Sequence, residues 1–127
     1  DLTCGATLTF LGKIRKDEDS RYGKRFIEKI EYSAYEEMAE KQIDKIVNIA
    51  KEKFNVMHVF VKHRIGTVHV GEIAFLVVVF SSHRKEGINA IDYIIDEVKS
   101  KVPIWKKEIL SDGRENWQDG EVIKSLK

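Results

Sequence analysis

A single cysteine, a single proline and no long apolar run mark this 127-residue chain. Cys4 has no second cysteine to join, so an internal disulfide and a thiolate zinc site are excluded, and a reducing, cytoplasmic setting is expected. The longest apolar run, IAFLVVVF at 73–80, falls far short of a membrane-spanning helix, and no secretory signal opens the chain. An excess of one charge is lacking too. The 22 Lys and Arg against 21 Asp and Glu leave a net +1, which argues against a protein that coats nucleic acid. Any anion site must then be a local arrangement. The chain opens on Asp1 and not on methionine, which implies a start inside a longer gene product.

Hydrophobic residues at 43% and charged residues at 34% describe a compact, heavily charged protein, and the length suits one domain spanning 1–127. ATLTFLGKIR at 6–15 alternates Leu8, Phe10, Gly12 and Ile14 with polar or small residues, the period of a half-buried strand. KDEDSRYGK at 16–24 has no period and reads as a loop. RFIEKIEYS returns to strand character, with Phe26, Ile30 and Tyr32 on one face. The period then changes: Ala39, Ile43, Ile46, Val47, Ala50 and Phe54 form one apolar stripe of a helix. VMHVFVKHRI at 56–65 alternates as a strand, Gly66 and Gly71 punctuate a short excursion, and EIAFLVVVF is apolar on both faces, as a strand covered on both sides would be. Ser81 or Ser82 is placed to cap a second helix with Ile88, Ile91, Ile95 and Val98 as its buried stripe, ended by Pro103. IWKKEI alternates again, and turns frame a last short strand at Trp117. The order ββαββαββ with short connections predicts an α+β fold with a largely antiparallel sheet.

Four histidines invite a metal reading, but His58 and His63 stand an odd number of residues apart on one strand and so leave opposite faces. With no HExxH helix and no carboxylate at ligand spacing, they read as surface or hydrogen-bonded strand residues. No GxSxG elbow or glycine-rich phosphate loop is present. What remains is cationic. His83 and Arg84 in SSHRKEG stand at a helix start, where free N–H groups and the dipole already attract an anion. Lys99 lies in the last turn of the same helix beside Val98, where partial desolvation lowers a lysine pKa. Lys106 and Glu108 share one face of the following strand, and Lys13 and Arg15 share one face of the first. Each pair alone reads as a solvent face; together they form a cationic setting for an anionic substrate.

FLGKIR, EYSAYEEMAEKQI, HRIGTVHVGE, SSHR and KVPIWKKE, in this order and spacing, resemble the large catalytic subunit family of molybdopterin synthase. The resemblance runs from about Ala6 to Trp117. It implies an α/β-hammerhead fold and a homodimer within a heterotetramer, each large subunit carrying a small ubiquitin-like sulfur-carrier subunit. The carrier's C-terminal Gly-Gly thiocarboxylate would enter a pocket and supply sulfur to cyclic pyranopterin monophosphate (precursor Z), forming the dithiolene of molybdopterin. No metal or other cofactor is implied. By resemblance Lys99 and Lys106 are the catalytic lysines, and Lys13, Ile14, Arg15, His83, Arg84, Lys107 and Glu108 complete the substrate-binding set. The strand alternation, by contrast, sends Lys107 to the face of Trp105 and makes it, with Lys101, a solvent residue; Trp105 packs and positions the strand. The chain departs from the family in lacking a further N-terminal stretch and in reading WQDGEV where some members carry a basic residue after the second Trp.

A helix over 83–99 separates its ends by about 24 Å at 1.5 Å per residue. One chain's Arg84 and Lys99 are too far apart to grip one small substrate. A composite pocket is therefore expected, with Lys99 and Lys106 from one subunit and His83 and Arg84 from its twofold mate. Two competing readings fit the residues without the resemblance: a Schiff-base lysine enzyme, and a non-enzymatic basic-faced interaction module.

Overall fold

The computed structural model describes residues 1–16 and 26–117, so most of the loop expected at 16–24 and of WQDGEV lies outside the described residues. The described elements are β1 (Ala6–Lys13), β2 (Ile27–Ala34), α1 (Glu36–Phe54), β3 (His58–His63), β4 (Gly66–His69), β5 (Ile73–Ser81), α2 (Arg84–Lys101), β6 (Ile104–Leu110) and β7 (Glu115–Trp117). The order contains one strand more than the pattern predicted. β4 fills the excursion between Gly66 and Gly71, both at positive φ. Its four residues are too few to show a period; they become a strand because the edge of β2 pairs with them, Tyr32 facing Gly66 and Ile30 facing Val68.

Two antiparallel sheets result, ordered β1-β5-β3 and β4-β2-β6-β7. This is the expected α+β class. In β5, Phe75, Val77 and Val79 are buried in the main core with Ala39, Ile46 and Ala50 of α1 and Ala90, Ile94 and Val98 of α2. Its other face is not covered as expected. Leu76, Val78 and Phe80 are half-buried there, beside exposed Leu11 and Phe60, the latter 56% accessible. The reason is that both helices pack into the one core cluster on the same side of the sheet.

A second cluster, Ile14, Ile27, Ile30, Val68, Ala74 and Leu110, lies against the four-stranded sheet, and Tyr32 packs against both clusters. The expected face of β2 holds for Ile30 and Tyr32 but not for Phe26. A register shift between Ile27 and Lys29 changes the parity, so Ile27 is buried in its place.

Helix α1 keeps its predicted stripe, carries Glu36 and Glu37 in its first turn and Lys51 and Lys53 in its last, and ends at Asn55 in the left-handed region. Helix α2 differs in two respects. Its N-cap is His83 and not a serine; Ser81 is fully buried and donates its hydroxyl to the His83 carbonyl. Its buried stripe is Gly87, Ala90, Ile94 and Val98, leaving Ile88 49% exposed. Small residues set this phase: a Cβ on Gly87 would stand 2.5 Å from Leu8 Cδ2 and 3.2 Å from Ser81 Oγ, so the helix rests on β1 where a larger residue would hold it off. Hydrophobicity alone points to Ile88, whereas close approach selects Gly87. Ile94 is fully buried, and Ile94→Ala is expected to lower stability by about 2–5 kcal/mol in urea unfolding.

Candidate active site

The sequence-predicted cations fall at two ends of the molecule. At one end, β1 finishes with Lys13 paired to Ile73, and the chain continues through Ile14, whose N–H donates to the Glu72 carbonyl and whose own carbonyl accepts from Gly71. Ile14 is 6% exposed and spends its side chain in the second core cluster, while Lys13 and Arg15 on either side of it are exposed. The same end holds His63, which faces Phe75 across β3 and β5.

β6 delivers Lys106 and Glu108 to this region. Lys106 lies directly opposite Tyr32, and Glu108 opposite Ile30, on the core-facing side of the sheet. Glu108 is only 7% exposed and accepts a hydrogen bond from Asn116 Nδ2 at 3.2 Å; Lys106 is exposed. Lys107, expected in solvent, is instead held on the opposite face. Its side chain is 17% exposed, pairs with Glu31 at 3.1 Å and Glu115 at 3.3 Å, and lies over the Trp117 ring. These carboxylates raise its pKa, the Glu31 hydrogen bond foremost. Lys107 thus ties β6 to β2 and β7. Trp105 packs as expected, edge-on against Tyr35 at 5.2 Å, and Lys101 pairs with Glu97 at 3.0 Å.

Helix α2 starts at the other end, where Gly87 meets Leu8 and Ser81, and its last turn shares the main core with Phe75 through Val98 and Val102. Lys99 is therefore carried toward the end that holds Lys13, Arg15 and Lys106, while His83 and Arg84 stay at the opposite one, both exposed. Lys99 is itself exposed in the single chain.

Sequence reasoning passed over two residues that the fold places beside Lys106. The Tyr32 ring meets His63 edge-on, with centroids 4.7 Å apart, and His63 leans on Phe75 at 5.4 Å. Burial, then the nearby charge of Glu108, raises the Tyr32 pKa. Burial lowers the His63 pKa below 6.5, and Lys106 lowers it further, against the opposing effect of the Arg64 carbonyl. His63 stands in HRIG, yet strand parity says only that it and His58 leave opposite faces. His63 also lines a cleft of about 390 Å³ together with Ala34, Ile104 and Glu36, Glu40 and Asp44 of α1.

Among the described residues no three His, Cys, Asp or Glu side chains are grouped to hold a metal ion, and no helix is long and apolar enough to cross a membrane. Fold and site together define a class: an α+β protein whose lysines and arginines stand exposed at strand and helix ends. The MoaE protein family model matches residues 1–101. The molybdopterin synthase catalytic subunit of Pyrococcus abyssi is 43% identical over 117 residues, covering 92% of this chain and 76% of its own length. The rat subunit of the same name is 43% identical over 115 residues, covering 91% of this chain but 56% of its own. The crystal structure of molybdopterin synthase from Staphylococcus aureus superposes with a TM-score of 0.86 at 38% identity, over 94% of this chain and 84% of that one. The chain belongs to the MoaE family of molybdopterin synthase catalytic subunits.

Proposed function

We propose that the chain is the catalytic subunit of a molybdopterin synthase in the cytoplasm. It takes sulfur from the C-terminal Gly-Gly thiocarboxylate of a small ubiquitin-like carrier and transfers it to cyclic pyranopterin monophosphate, building the dithiolene of molybdopterin. The observation that carries this reading is the placing of Lys13, Arg15, Lys99 and Lys106 toward one end of the fold. Cations there hold the phosphate and offset negative charge as the thiocarboxylate sulfur displaces an oxygen substituent of the pterin side chain; water then cleaves the acyl–sulfur bond, freeing the carrier as its carboxylate, and a lysine takes or gives the protons these steps move.

The second copy supplies what this end lacks. His83 and Arg84 sit at the far end of α2, so in a twofold dimer the mate's helix start completes the pocket. The uncovered sheet face with Leu11, Val78 and Phe60 is an apolar surface suited to burial between the two copies.

Reconstitution tests the reading. The chain mixed with a thiocarboxylated carrier and cyclic pyranopterin monophosphate is expected to yield dithiolene, detected by mass spectrometry, with a carrier ending in plain carboxylate yielding none. Equal product from both carriers would overturn the assignment.

A further inference from the structure

The strongest unassigned feature is the imidazole of His63. The ring is half-buried between Tyr32 and Phe75, where a phenyl ring would pack as well but offer no acceptor. One nitrogen is accounted for: His63 Nδ1 lies 2.7 Å from the Arg64 carbonyl oxygen. A carbonyl only accepts, so Nδ1 carries the proton and, in the neutral ring, Nε2 carries the lone pair. Among the described residues no protein donor is bonded to Nε2. Ring contacts with Tyr32 on one side and Phe75 on another, together with that hydrogen bond, fix the ring's orientation.

Lys106 is a cation close enough for its charge to act on the ring. It stands directly across from Tyr32 on β6, two residues after Ile104, and Ile104 lines the same cleft as His63. We propose that His63 is a positioning residue for Lys106, its Nε2 accepting a hydrogen bond from the lysine ammonium and so aiming it into the cleft. This rests on the catalytic reading of Lys106 given above.

Neutrality is what makes the arrangement work. An uncharged imidazole offers Lys106 a partner without adding a second positive charge; an imidazolium would withdraw the lone pair and repel the ammonium. The charged groups near the ring are Lys106 and Glu108 from β6, Lys62 and Arg64 on either side of it along the chain, Arg64 being paired with Glu72 at 3.7 Å, and Glu36, Glu40 and Asp44 of α1 in the same cleft; Tyr32 of β2 is titratable as well. Because burial and Lys106 hold the His63 pKa below the ordinary 6.5, the ring stays neutral through neutral pH and takes its proton only on the acid side. Turnover is therefore expected to fall along an acid limb that reports His63.

The test uses the assembled complex with the small subunit. His63→Phe keeps the ring packing and removes the acceptor; His63→Gln sets an amide oxygen near the place of Nε2. His63→Phe is expected to lose about tenfold or more in kcat at neutral pH, with KM little changed and the acid limb abolished. His63→Gln is expected to regain most of the neutral rate, also without the acid limb. Wild-type kcat and an unshifted acid limb in His63→Phe would overturn the proposal. A second measurement needs no turnover: nitrogen NMR of the imidazole is expected to show the Nδ1–H tautomer and a titration midpoint that rises in Lys106→Met. A midpoint unmoved by that substitution would also overturn it. Full turnover by Lys106→Ala with the NMR coupling intact would place the failure in the catalytic reading of Lys106, and the proposal would fall with it.

Discussion

Lys99→Ala and Lys106→Ala are each expected to lower turnover of cyclic pyranopterin monophosphate by about 10²–10⁴-fold, the range a positioned acid–base group contributes. Both lysines are exposed in the single chain. Truncating either leaves no buried charge unpaired, so thermal unfolding should shift by no more than a few degrees, and the loss is one of chemistry and not of folding. Arginine is not expected to rescue either position, because a guanidinium keeps the positive charge but does not release a proton near neutral pH. Steady-state kinetics with saturating thiocarboxylated carrier separates the roles: a residue that only holds the phosphate raises KM, whereas one that moves protons lowers kcat. A normal rate in Lys99→Ala would sink its assignment.

The second large effect is a gain. Arg84→Ala and Lys99→Ala chains, each inactive alone as homodimers, are expected to recover about a quarter of wild-type activity when mixed in equal amounts and allowed to exchange subunits. Random exchange makes half of the dimers mixed. In each mixed dimer one pocket collects both substitutions and the other collects none, so one site of two is restored. The expectation follows from the length of α2, whose 18 residues place its two ends too far apart to serve one pocket. Recovery that stays at the level of the separate variants, with exchange verified by native mass spectrometry, would show that each chain builds its site alone.

The two substitutions probe different links. Lys99 and Lys106 come from different elements, the last turn of α2 and the strand after Pro103, and Pro103 separates them by ending the helix. Lys106 also has a neighbour that fixes its surroundings, the Tyr32–His63 pair, whereas Lys99 projects from the outer side of its turn. Loss of the His63 acceptor should therefore affect Lys106 chemistry alone.

Much of the fold follows from local pattern. The alternation over 6–15, the stripe Ala39–Phe54 and the helix stop at Pro103 each express a period that one residue's neighbours impose, and each stands in the structure as read. The same alternation separated Lys106 and Glu108 from Trp105 and Lys107, because successive side chains on a strand leave opposite faces wherever the strand lies. Tertiary contacts decided the rest. β4 exists because β2 has an edge to offer; Gly87 replaces Ile88 at the buried position because only a residue without a side chain lets α2 rest on Leu8; and Lys107 leaves solvent because Glu31 and Glu115 belong to strands that pairing alone brings beside it. His63 shows the limit most plainly. Its parity was legible, but Tyr32, Phe75 and Lys106, from three other strands, give the ring its neighbours and lower its affinity for a proton. Periodicity records what a residue's own segment requires, and these neighbours lie 31, 12 and 43 positions away along the chain, brought together only by the pairing of strands.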